Sequence, residues 1–195
     1  DLVVHSSAVG ADNPEVQAGA ARGIPTCRRG EFLARLADAF DTVIAVGGSH
    51  GKTTTTALIA HILRELGFRP GYLVGGEVSQ WASPAAAGAG HILVTEVDES
   101  DGTQALLRAA VAVVTNVDDD HCWSLGGVAG LEQCFRDFAG AADALIAWRS
   151  PKTVELFGRH PHARFLTARD TPSSLRLQLE GDHNRGNATL AIAAA

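Results

Sequence analysis

Thr42-Val43-Ile44-Ala45-Val46-Gly47-Gly48-Ser49-His50-Gly51-Lys52-Thr53-Thr54 is the stretch that decides the fold. Its first five residues form a continuous apolar run, typical of a strand buried on both faces of a parallel sheet. Glycines interrupt the run at 47–51, and a helix is expected over 53–66. A strand, a glycine-rich turn and a helix in that order aim backbone N–H groups and the positive helix end at one point, where a triphosphate can sit. The full GxxxxGK[ST] pattern needs glycine at position 46, where this chain has Val46, so the match is to a shorter GxxGKT form. Lys52 is then placed to reach the β- and γ-phosphates and Thr53 to offer its hydroxyl to Mg²⁺. Gly48, Ser49, His50, Gly51, Lys52, Thr53 and Thr54 are the nucleotide-binding candidates, and ATP and Mg²⁺ the expected cofactors.

Working outward, apolar runs at 72–74, 92–95, 111–115 and 144–147 read as further strands, and 128–141 as a helix with Leu131, Cys134, Phe135 and Phe138 on one face. Upstream, 2–4 reads as a strand, 14–23 as a helix capped by Asn13 with Pro14 in its first position, 24–27 as extended and 30–40 as a helix. Strands alternating with helices predict an α/β fold, a mainly parallel sheet with helices on both faces, whose polar ligands gather at the carboxyl ends of the strands. A domain boundary is expected near Asp41, with the tail of one α/β domain in 1–40 and a nucleotide-binding domain in 41–195. The Ala/Gly-rich stretch 83–90 reads as a surface loop.

Bulk properties narrow the function. With 195 residues, 46% hydrophobic and 19% charged, the chain suits one packed α/β domain plus part of another. A net charge of −6 has the wrong sign for coating nucleic acid. No apolar run approaches the roughly 18 residues of a membrane span and no secretory pattern opens the chain, so no membrane partner and a cytoplasmic location are expected. Cys27, Cys122 and Cys134 form no CxxC pair and are expected to be reduced thiols. The chain has no Met, opens within a strand and closes within an Ala-rich helix over 188–195, so it reads as a piece of a longer protein.

Three further motifs sit where the strands and helices place polar ligands. Glu96 ends the strand at 92–95 and is followed by Asp98, Glu99, Ser100 and Asp101. Opposite a phosphate loop, a strand-end carboxylate can hold the Mg²⁺ that bridges the phosphates, and Glu96 lies nearest the strand end. The next strand end carries Thr115-Asn116-Val117-Asp118-Asp119-Asp120-His121, which makes His121 a second candidate at the metal or substrate side. At 181–187, Gly181-Asp182-His183-Asn184-Arg185-Gly186-Asn187 leads into an apolar helix. Asp182 or Asn184 can cap that helix. Alternatively Asn184 and Asn187, three apart, share one face and can read an adenine edge.

These four motifs in this order resemble the Mur ligase family, nearest to its alanine-adding branch, and the likeness covers nearly the whole chain. Ser6-Ser7-Ala8-Val9 and Asp12-Asn13-Pro14-Glu15 likewise resemble the end of that family's Rossmann-like UDP-binding domain. The resemblance implies an ATP-dependent ligase of peptidoglycan precursor synthesis. ATP phosphorylates the carboxylate of UDP-N-acetylmuramate, the amine of L-alanine attacks the acyl phosphate, and phosphate leaves. It further implies that Lys52, Glu96 and His121 are catalytic, and that Thr53, Glu96 and His121 hold Mg²⁺. Asn184 and Asn187 correspond to adenine contacts, and Ser6, Ser7, Asp98, Glu99, Ser100 and Asp101 to the substrate side.

Ser49 stands where the family usually has Thr, and the segment near 148–180 is shorter than the family pattern, as if flanking strands were lost. The amino-acid-binding C-terminal domain is absent, so the chain alone is not expected to complete the reaction. Three alternatives are weighed against this reading. A plain P-loop phosphotransferase explains the first motif but not the other three. A murein peptide ligase of the same family shares the phosphate loop but carries a Tyr-Asp pair near the acidic stretch. A truncated nucleotide-binding domain without turnover is the third.

Overall fold

The apolar run at 42–46 is the centre of the molecule. In the computed structural model, which describes residues 1–99, 102–118 and 125–195, it becomes strand β3 (Thr42–Gly47), buried from Val43 onward. Nine strands and six α-helices are present among the described residues: β1 (Val3–His5), α1 (Pro14–Ala21), β2 (Thr26–Arg28), α2 (Arg29–Ala37), β3, α3 (Lys52–Glu65), β4 (Gly71–Leu73), β5 (Ala85–Ala86), β6 (Ile92–Glu96), β7 (Val111–Val114), α4 (Val128–Gly140), β8 (Ala144–Trp148), α5 (Pro151–Phe157), β9 (Ala163–Leu166) and α6 (Asp182–Ala194). Strands β1 and β2 pair in parallel as a separate small sheet. The other seven form one sheet in the order β5-β4-β6-β3-β7-β8-β9, parallel except for the β4–β5 pair.

Alternate residues of a strand face opposite sides of its sheet, so an apolar run feeds two cores at once. Val43 and Ala45 of β3 pack with Phe135 and Phe138 of α4 and Leu156 and Phe157 of α5. Ile44 and Val46 pack on the other side with Ile59, Ala60 and Leu63 of α3 and Leu190 and Ala191 of α6. Phe135 and Phe138 are fully buried, each contributing about 1.5–3 kcal/mol by burial alone. Helix α3 opens with Lys52 and four threonines, the latter β-branched residues of modest helix propensity. It forms because Thr55, Thr56, Ile59, Ala60 and Leu63 are buried against the sheet, and tertiary packing outweighs local preference.

Most of the predicted elements are present with ends shifted by a few residues at most. Asn13 caps α1, its side chain accepting from the N–H groups of Glu15 and Val16, with Pro14 in the first turn. Three readings change. The stretch 83–90 contributes the two-residue strand β5 to the sheet edge, although its residues stay exposed. The segment 148–180, for which no element was predicted, holds α5, capped by Ser150 with Pro151 at its start, and β9, which extends the sheet beyond β8. Helix α6 starts at Asp182, and neither Asp182 nor Asn184 caps it, because Gly181 occupies the cap position with φ 96°.

Candidate active site

Register brings the motifs together. Parallel pairing sets Val46 of β3 opposite Glu96 of β6 and Gly47 opposite Val114 of β7. The glycine loop, Glu96 and Thr115 therefore emerge at one sheet edge, the carboxyl end where α/β sheets bind ligands.

The loop is held from behind by the strand next door. Thr115 Oγ donates to the carbonyl of His50 at 2.6 Å, and Asn116 brackets the same residue, Oδ1 accepting from His50 N–H at 2.9 Å and Nδ2 donating to its carbonyl at 3.0 Å. Ser49 is buried, and its hydroxyl donates to the Asp118 carbonyl and accepts from the Asp118 N–H. Two glycines are obligatory here. Gly48 has φ 134° and a Cβ on it would lie 2.0 Å from Thr115 Oγ; Gly51 has φ 81° and a Cβ on it would lie 2.6 Å from Asn187 Oδ1. Thr115 and Asn116 were quoted in the sequence without a role. Two polar residues ending an apolar strand beside β3 were the available signal.

In front of the loop, the first turn of α3 offers its N–H groups. Thr55 N–H already bonds the Gly51 carbonyl, while those of Lys52, Thr53 and Thr54 have no partner within the helix and point at the strand end. Lys52 Nζ sits beside them, 2.6 Å from the Gly48 carbonyl and 2.8 and 3.1 Å from the two carboxylate oxygens of Glu99.

The two described candidates for the metal converge. Glu96 Oε1 lies against Gly75, where an added Cβ would come within 1.7 Å, and the Thr53 methyl lies against neighbouring Gly76, 3.2 Å from where its Cβ would be. Glu96 Oε2 is buried without a hydrogen-bond partner. A buried carboxylate oxygen left bare suits a divalent cation, a hard acceptor of oxygen ligands. Among the described residues no cluster of three or more His, Cys, Asp or Glu side chains forms that could hold an ion. His121, Ser100 and Asp101 lie outside the described residues.

A cleft of about 570 Å³ opens between α2 and the ends of β4 and β6; Lys52, Glu96, Asp98 and Glu99 line it together with Phe32 and Leu36 of α2. Arg29, the first residue of α2, bonds Asp98 across its rim at 2.8 Å. Glu99, read as a substrate contact, lines the cleft, is 2% exposed and is paired with Lys52. Ser6 and Ser7 follow β1 in an exposed turn and do not line the cleft. Asn184 and Asn187 share a face of α6: Asn187 is mostly buried against Gly51 and reaches Asn184 at 3.4 Å, and Asn184 donates to the Glu180 carbonyl at 2.7 Å. Gly75 and Gly76 were not singled out in the sequence, though paired glycines just past a strand are a recognisable sign of close approach.

Comparison with known proteins agrees with this geometry. The family model for the Mur ligase middle domain matches residues 46–139, and that for the Mur ligase family, catalytic domain, matches residues 1–41. The UDP-N-acetylmuramate–L-alanine ligase of Renibacterium salmoninarum is 39% identical over 227 positions, spanning all of this chain and 48% of the relative. That of Gloeobacter violaceus is 37% identical, spanning 98% of this chain and 47% of the relative. The chain thus spans about half the length of the curated relatives it matches. An alignment of 227 positions against 195 residues leaves at least 32 positions without a counterpart in this chain.

Among solved structures, the UDP-N-acetylmuramate-alanine ligase MurC of Thermotoga maritima matches 98% of this chain and 50% of its own, with TM-score 0.85 and 25% identity. The MurF ligase of the same organism, solved in complex with ADP, matches 85% of this chain and 47% of its own, with TM-score 0.58 and 19% identity, a likeness of fold alone. Two family models that between them cover residues 1–41 and 46–139, and relatives aligned along the entire chain, establish that it belongs to the Mur ligase family.

Proposed function

We propose that this chain supplies the ATP-binding core of a ligase that joins L-alanine to the carboxylate of UDP-N-acetylmuramate through an acyl phosphate. The observation that carries the reading is the meeting, at one sheet edge, of the glycine loop, the Lys52 ammonium and the bare Glu96 oxygen, with Glu96 and Thr53 set against the neighbouring glycines Gly75 and Gly76. A carboxylate and a γ-phosphate repel, so attack of one on the other needs positive charge held around both. The N–H groups that open α3 and the Lys52 ammonium meet the phosphates. Thr53 and Glu96, with His121, would hold Mg²⁺, which when bound neutralises charge on the β- and γ-phosphates. The cleft under α2 leads to the same point and would deliver the acceptor carboxylate. The alanine-adding specificity is supported by the relatives' names, and nucleotide binding by the ADP carried by a structural relative.

Two measurements test this. Phosphate release from ATP with Mg²⁺ and UDP-N-acetylmuramate, by a full-length ligase that contains this core, is expected to depend on L-alanine. ATP binding without amine-dependent release would favour a nucleotide-binding unit without turnover, a reading to which the uncovered alignment positions lend weight. Glu96→Ala is expected to reduce phosphate release at least about 100-fold, the scale of losing one electrostatic contact made in the transition state, with ATP affinity changed only a few fold. Unchanged release would remove Glu96 from the site.

A further inference from the structure

Glu99 is one of the largest fully buried side chains in the molecule, with 2% of its surface exposed. Among the described residues its carboxylate has one hydrogen-bonding partner, Lys52 Nζ, which lies within 3.1 Å of both oxygens. Lys52 is 19% exposed and is the cation at the glycine loop, with its remaining hydrogen bond to the Gly48 carbonyl. A buried carboxylate is costly to leave without its counter-charge. The lysine that a triphosphate requires is therefore already engaged by an anion of the protein.

We infer that Glu99 is an internal competitor for Lys52: it stands in for phosphate in the nucleotide-free site, and a triphosphate binds by drawing the ammonium off it. The inference rests on the reading of residues 47–54 as a triphosphate site. It makes Glu99 a positioning residue that acts through Lys52. Its charge opposes binding of any ligand long enough to reach Lys52 and is indifferent to one that is not. A carboxylate-to-amide change keeps the shape and an oxygen acceptor while removing the charge that makes the Lys52 bond strong.

The test measures binding of ATP, AMP and inorganic tripolyphosphate to the chain and to Glu99→Gln by titration calorimetry. Glu99→Gln is expected to tighten ATP and tripolyphosphate about tenfold and to leave AMP within about twofold. A residue that only supports the fold would shift all three alike or none. Equal or weaker ATP binding by a folded Glu99→Gln chain overturns the inference and leaves the triphosphate site standing. Absence of ATP binding by the unmodified chain removes the site itself, and the inference with it.

Should Glu99→Gln fail to fold, the unmodified chain answers directly, because Lys52 and Lys152 are its two lysines. With ¹⁵N-lysine labelling, the Lys52 ammonium signal is expected to shift when tripolyphosphate saturates the chain. A signal that keeps its position at saturation would show that Glu99 never releases the ammonium, which contradicts competition.

Discussion

The chain's two lysines are each paired with a glutamate, and the two pairs live in different surroundings. Lys152, at the start of α5, bonds Glu132 of α4, and Arg136 bonds the same carboxylate from one helical turn away at 2.9 Å. That carboxylate has two cations and lies at the surface of the helix layer, with a fifth of its side chain in contact with solvent. Among the described residues Glu99 has one cation, and almost no solvent reaches it. Duplicate partners and nearby water make the first pair replaceable, since loss of one cation leaves another. Among the described residues the second pair has no substitute, and its lysine is the one the glycine loop presents. Identical chemistry is therefore a fastening in one place and a poised charge in the other.

The strongest way to break the comparison is to remove each lysine. Lys52→Ala leaves Glu99 buried without a counter-charge and is expected to cost about 3–5 kcal/mol of stability, measured by urea unfolding. Adding Glu99→Gln to Lys52→Ala should return most of that loss. If the double variant is no more stable than Lys52→Ala alone, Glu99 is not stranded by the lysine's removal. A smaller effect is expected for Gly48→Ala, which forces a methyl group toward Thr115 Oγ in a backbone conformation that disfavours it. Its cost should be about 1–3 kcal/mol, with ATP affinity reduced as the loop is pushed off Asn116; native-like affinity would mean the loop does not need that close approach.

Glu132→Gln sharpens the other side and has the smallest effect. Hydrogen bonds from Lys152 and then Arg136 hold the Glu132 carboxyl below its ordinary range. A lowered folded value means that its contribution to stability is present above the unfolded value, about 4.3, and disappears as pH falls through the folded one. The stability difference between wild type and Glu132→Gln should thus be measurable at pH 7 and shrink toward zero as pH drops below about 4. A difference that persists or grows in acid would assign it to packing.

Much of this architecture was legible in the residues. The run at 42–46 could be only a doubly buried strand, and the glycines, Lys52 and Thr53 after it located the loop. Glu96 was singled out by the same logic, as a carboxylate at a strand end, and the structure sets it at the carboxyl end of β6. The segment holding α5 and β9 escaped because its apolar residues, Val154, Leu156, Phe157, Phe165 and Leu166, come in pieces too short to show a period. What Glu99 does was not legible, because an acidic run in sequence gives no sign of which member turns inward. The backing of the loop by Thr115, Asn116 and Asn187 depends on contacts 65 or more residues apart along the chain for Thr115 and Asn116, and only tertiary structure reveals those. Gly75 and Gly76 belong with them, since their neighbours Glu96 and Thr53 come from other elements.

The parallel register that sets Val46 against Glu96 works as a ruler with one mark per residue. Each step along β6 advances the chain about 3.3 Å and reverses the side that a residue faces. The interior of β6 is Leu93, Val94 and Thr95, all buried. A deletion of one residue from this strand would draw Glu96 back by a full step and turn its carboxylate through the sheet, into a layer with no water to solvate it. One frame therefore fixes both the packing and the placing of the carboxylate, and a slip that displaced either would unsettle the other.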